Sequence, residues 1–97
     1  MLMITASIAH GALTIGITGR LTPDGCGAVN RILNEASDRC QQVKIDLAGV
    51  RLVDQSSVEY LADIRHHRVA LINLPSYVRR WVEQVSNQGE SKNLGGE

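Results

Sequence analysis

Ninety-seven residues make one domain with a single core, and ten basic against ten acidic side chains leave no net field to draw it to nucleic acid or an anionic membrane. With no Phe and one Trp, the core must come from Val, Ile, Leu and Ala, and no apolar run nears the roughly 18 residues that would span a bilayer. Cys26 and Cys40 are too few and too isolated for a disulfide framework or a zinc site, so reduced thiols in a cytoplasmic protein are expected.

The N-terminus lacks the basic-then-apolar order of a signal peptide. Met3 to Ile8 and Ala12 to Thr18 alternate or run apolar about a His10-Gly11 turn signal, which predicts a hairpin or two neighbouring strands. Thr22-Pro23 marks a helix start, Thr22 as N-cap and Pro23 at the first helical position. Ala28, Val29, Ile32, Leu33 and Ala36 follow at helical spacing. Gly25 and Gly27 weaken the first turn, so this helix is expected to settle in only from Ala28.

Val43, Ile45 and Leu47 alternate with Lys44 and Asp46, the pattern of a strand buried mainly on one face. After Asp54 a short helix is predicted over Ser57 to Arg65, with Ser56 and Glu59 at the spacing of a capping box. Val69 to Leu74 is a nearly continuous apolar run, as in a strand covered on both faces. Pro75-Ser76 opens a last helix with Tyr77, Val78, Trp81, Val82 and Val85 as its apolar stripe. From Ser86 the chain is polar and Gly-rich without periodicity, so a folded domain over 1–86 and a loose tail over 87–97 are expected.

The order is β-β-α-β-α-β-α. Strands separated by helices need crossover connections, which favours parallel pairing and an α/β layer fold. The expectation is one layered domain with a mixed sheet of four to five strands.

Ile45-Asp46-Leu47-Ala48-Gly49-Val50, followed by Val53-Asp54-Gln55-Ser56-Ser57, resembles the signature of the STAS domain: an apolar strand, a step to an acid and hydroxyls, then a helix. Ile17-Thr18-Gly19-Arg20-Leu21-Thr22 is similar to the segment before the family's first helix. Ala70 to Leu74 with Ser76 to Arg80 resembles its last strand and helix. Together these cover about residues 3 to 86. Two departures stand out. Ser57 occupies the place of the usual Gly, and the helix after it is short.

The resemblance implies a non-enzymatic anti-sigma factor antagonist that binds a serine-kinase anti-sigma factor as its protein partner and is switched by serine phosphorylation. It aligns Ser56 with the phosphorylated hydroxyl and Asp54 with the neighbouring acid. Arg20, Leu21, Thr22 and Asp24 would join Asp54, Gln55, Ser57 and Val58 in contacting the partner. A weak homodimer is a further association to look for. The alternatives are an accessory subunit of a lipid-transport ABC system, or another phosphorylation-independent interaction module. A stressosome-like subunit is a third.

Read from the residues alone, Ser56 is either a helix cap or a modification site. Asp54 is a loop acid or cap, with no matched His or second carboxylate for catalysis. Asp46 is a strand-end hydrogen-bond acceptor. Arg65-His66-His67-Arg68 is a basic cap on a helix C-terminus, since adjacent histidines seldom face one metal ion. Arg79, Arg80 and Trp81 lack the wider basic face of a nucleic-acid site. No phosphate loop, dinucleotide fingerprint or nucleophile elbow occurs, so no cofactor, metal or catalytic residue is assigned.

Overall fold

The computed structural model describes residues 2–65, 67 and 69–95. Strands β1 (Leu2–Ala9) and β2 (Ala12–Leu21) form an antiparallel hairpin that closes on Ala9 opposite Ala12. His10 and Gly11 between them both have positive φ, 52° and 77°. A two-residue hairpin loop needs this geometry, because its twist then matches that of the strands. Helix α1 (Pro23–Ala36) and a 3₁₀ turn (Ser37–Arg39) lead to β3 (Gln42–Val53). Helix α2 (Gln55–Ile64), strand β4 (Val69–Ile72) and helix α3 (Ser76–Gly95) complete the chain.

The four strands lie in the order β1-β2-β3-β4, with β2, β3 and β4 parallel. The expected mixed sheet therefore forms with four strands. Because the chain steps in one direction across the sheet, right-handed crossovers put α1 and α2 on the same face. The burial pattern agrees. Leu13, Ile15 and Ile17 of β2 and Val43, Ile45 and Leu47 of β3 are buried in one core, joined there by Val29, Leu33, Val58, Leu61, Val78 and Val82 of the helices. Each such side chain contributes about 1.5–3 kcal/mol by leaving water. The opposite face presents Thr14, Thr18, Lys44, Asp46 and Ala48, none of them fully buried.

Several expectations need correction. Helix α1 begins at Pro23, not Ala28, with Gly25 and Cys26 already buried. The reason is close packing: a Cβ on Gly25 would lie 2.5 Å from Leu2 Cδ2 and 3.2 Å from Leu21 Cδ1. Strand β4 is shorter than predicted and lies at the sheet's edge, not covered on both faces. Asn73, at φ 56°, turns the chain out of the strand, and Ala70 is exposed. Tyr77 stands 46% exposed, off the buried stripe that Val78 and Val82 form. Backbone of α3 runs helical to Gly95, through most of the segment expected as a tail. Residues 96 and 97 of that segment lie outside the described residues.

Candidate functional site

Parallel pairing of β2 with β3 sets their C-terminal ends side by side, Arg20 opposite Leu52 and Leu21 opposite Val53. Each strand then feeds a helix, so the entrances to α1 and α2 are neighbours. Thr22 caps α1: its Oγ1 accepts from the Gly25 N–H at 3.4 Å, and its carbonyl accepts from the Cys26 N–H at 2.9 Å. Arg20, Asp24, Asp54 and Gln55 are exposed around this junction, and Arg20, Leu52 and Asp54 rim a shallow depression of about 310 Å³.

The cap of α2 is not the one the spacing predicted. Asp54, in an extended conformation (φ −101°, ψ 174°), is the N-cap. Its Oδ1 accepts from the Ser57 N–H at 2.8 Å, and its carbonyl accepts from the Val58 N–H at 3.0 Å. Hydrogen bonding from Ser57 holds the Asp54 carboxyl below its ordinary pKa. A carboxylate at the positive end of the helix dipole does this work at least as well as a hydroxyl. Ser56 is thereby moved into the first turn as its second residue. Glu59 does not close a box with Ser56; it accepts instead from Gln55 Nε2 at 3.3 Å.

This shift of phase separates the two serines. Ser56 is exposed. Ser57 is fully buried, and its hydroxyl donates to the Leu21 carbonyl at 3.1 Å, tying the first turn of α2 to the end of β2. Leu21 and Val58 are buried as well, so these three shape the surface from beneath. Under the cap lies Cys26, which the sequence marks only as an isolated reduced thiol and the fold buries here. Burial pushes its thiol pKa up, and the Asp54 charge adds to the rise. Tyr60, whose hydroxyl donates to Asn30 Oδ1 at 3.4 Å, is pushed up to about 12, first by burial and then by Cys26 and Asp63.

Arg51 and Leu52 were also not singled out, yet both are exposed beside the site, Leu52 by 52%. The sequence carried a signal for this: Leu52-Val53 is an apolar doublet in an alternating strand, so one of the pair has to face outward. Tyr77 at the start of α3 donates its hydroxyl to the Arg51 carbonyl, which braces this end of β3. Asp46 is a hydrogen-bond acceptor, receiving the Ala48 N–H at 3.0 Å and Asn73 Nδ2 at 3.2 Å, but it sits inside β3 and not at a strand end as expected. Arg65 is the C-cap of α2 and His67 lies 3.9 Å from Asp63; His66 and Arg68 lie outside the described residues.

Among the described residues no group of three His, Cys, Asp or Glu side chains is placed to hold a metal ion, and no helix is long and apolar enough to cross a membrane. The family described as "Mlab, STAS domain" matches residues 4–89. The chain belongs to the STAS family. No curated protein matches it. Among solved structures, the STAS domain is similar to the "Anti-Sigma Factor Antagonist SpoIIAA in its Unphosphorylated Form", at 12% identity and TM-score 0.65, over 82% of this chain and 79% of that one. It is also similar to part of "Mglu", at 19% identity and TM-score 0.62 over 70% of this chain. It spans only 19% of the Mglu chain. At such identities the likeness concerns the fold.

Proposed function

We propose that this STAS domain is a partner-switching protein of the anti-sigma factor antagonist kind. It binds a serine-kinase anti-sigma factor through the junction of α1 and α2, in the cytoplasm, and phosphate transfer to Ser56 releases it. The observation that carries this reading is the split between the two serines: Ser56 offers its hydroxyl to solvent, while Ser57 is buried and bonded to Leu21. A phosphate on Ser56 adds about −1.5 to −2 charges. Helix dipole and first-turn N–H groups welcome that charge, whereas Asp54 and Glu59 oppose it. The balance keeps the local fold and changes the surface that the partner meets, so the switch works by blocking an interface.

A second reading is supported by Ser57 itself. Where regulatory members have Gly, a buried serine anchors the turn and limits close approach by a kinase. In this reading the domain docks, without phosphorylation, as an accessory subunit of a lipid-transport ABC system.

Incubation with ATP and the serine-kinase anti-sigma factors of its own source, followed by mass spectrometry, separates the two. Phosphate on Ser56, with Ser56→Ala retaining the complex and Ser56→Asp weakening it, is the expected result. No phosphate, together with stable copurification with a transporter ATPase, decides for the second reading.

A further inference from the structure

The two edges of the sheet are built differently. Strand β4 has four residues and is ended by left-handed Asn73, with Pro75 just beyond. Strand β1 has eight residues, Leu-Met-Ile-Thr-Ala-Ser-Ile-Ala, without a charge, a proline or a glycine. Its pairing with β2 runs from Leu2 to Ala9 with no bulge. Charged side chains, prolines, bulges and short length are the usual protections of a free edge, and β1 has none of them. Six of its eight residues are exposed, Met3 by 58% and Ile8 by 57%.

We propose that β1 is a self-association edge: it pairs antiparallel with β1 of a second copy, with Thr5 on the two-fold axis, joining two four-stranded sheets into one. The hairpin sets the register. Its two-residue loop closes on a hydrogen-bonded Ala9–Ala12 pair, and bonding alternates along an antiparallel ladder. Met3, Thr5, Ser7 and Ala9 therefore spend their N–H and C=O groups on β2. Leu2, Ile4, Ala6 and Ile8 direct theirs outward.

With Thr5 opposite Thr5, Leu2 faces Ile8 of the other copy and Ile4 faces Ala6. All four outward-directed residues of each strand are then paired. The same register keeps the faces of the two sheets continuous, since residues directly opposite point the same way. On the helix side the junction is wholly apolar, and Ile8 is covered by the other copy's Leu2, whose own flank packs at Gly25. On the bare side Met3 meets Ser7. No charge lies anywhere along the strand to oppose self-pairing or to select a foreign strand.

The assembly stops at two. Pairing uses up the long open edge that β1 gives each copy, and a closed two-fold arrangement results. One strand pair is a small interface, well under the ~1,200 Å² of standard complexes, so the dimer is weak and concentration-dependent. The Ser56 site is built from the ends of β2 and β3 and stays uncovered, with the two copies of it at opposite ends of the joined sheet.

Sedimentation velocity on the full chain from about 1 μM to about 1 mM tests this, together with amide exchange at both ends of the range. A monomer–dimer equilibrium is expected, with the Ile4, Ala6 and Ile8 amides protected only at high concentration. Thr5→Lys and Thr5→Asp should each be monomeric, with unchanged circular dichroism and melting temperature, and their mixture should recover the dimer. A wild-type chain that stays monomeric throughout overturns the proposal. So does a dimer whose β1 amides exchange as in the monomer, and so does a Lys/Asp mixture that fails to associate.

Discussion

Ser57 shows how one hydroxyl connects local helix geometry to long-range packing. Its N–H completes the Asp54 cap, and its side chain reaches across 36 positions to the Leu21 carbonyl. Ser57→Ala keeps the first bond and leaves the buried carbonyl unpaired, which is expected to cost about 1–3 kcal/mol in urea denaturation. Ser57→Gly is less stable still, since Gly in a helix costs up to about 1 kcal/mol more than Ala; on the antagonist reading it should nonetheless speed phosphorylation of Ser56 by the kinase. Unchanged phosphorylation would show that side-chain bulk at this position does not limit the reaction. Asp54 gives a pH prediction. Its carboxyl pKa is lower in the folded state than in the unfolded one, so its contribution is present above the ordinary value of ~3.9 and is lost as pH falls through the folded value. Asp54→Asn retains a capping side chain but should remove this part of the acid-side dependence, read as a smaller fall in the urea midpoint between pH 5 and pH 3. The sequence showed the acid and both hydroxyls but not their phase. Whether Asp54 or Ser56 is the cap decides which serine is buried, and both residue types cap well.

At the scale of the elements, strand and helix order was legible because apolar spacing changes cleanly between periods of two and of 3.6 along the chain. The start of α1 was not. Two glycines read as helix weakness, whereas their surroundings in the fold differ. Gly25 is pressed against Leu2 and Leu21, while a Cβ on Gly27 would meet nothing within 4 Å. Gly27→Ala should therefore stabilise the domain by up to about 1 kcal/mol, the helix-propensity gain. Gly25→Ala should forfeit that gain, because the Leu2 side chain has to move aside. Denaturation midpoints of the two variants check this, and equal stabilisation would mean that the contact of Gly25 with Leu2 does not restrict a side chain there. Strand β4 failed for a related reason. An apolar run reports burial somewhere but not its position in the sheet, and the left-handed turn at Asn73 that shortens the strand leaves little mark in composition.

For the whole molecule, chain direction decides which face of the sheet is covered. Strands β3 and β4, each added beside the hairpin by a crossover of the same hand, leave α1 and α2 on one side of the sheet. Alternation in Val43 to Leu47 carried that information in the sequence: a sheet covered on both sides would have read as continuously apolar. Ile45 and Lys44 are thus adjacent in sequence and opposite in environment. Ile45 is fully buried at the centre of the sheet, paired with Ile15 on one side and Leu71 on the other. Truncation to Ala removes its contacts and leaves a cavity that two flanking strands cannot easily close, at about 2–5 kcal/mol. Against a total stability of about 5–15 kcal/mol for a domain of this class, that is enough to populate the unfolded chain. Lys44 pairs with Thr14 and Ala70 on the bare face, where Lys44→Ala should change stability by no more than about 0.5 kcal/mol. Urea titration of the two variants measures the contrast. Comparable losses at both positions would require a covering layer on the second face, formed by another copy or by a partner, and would move the search for an interface from the sheet's edge to its open side.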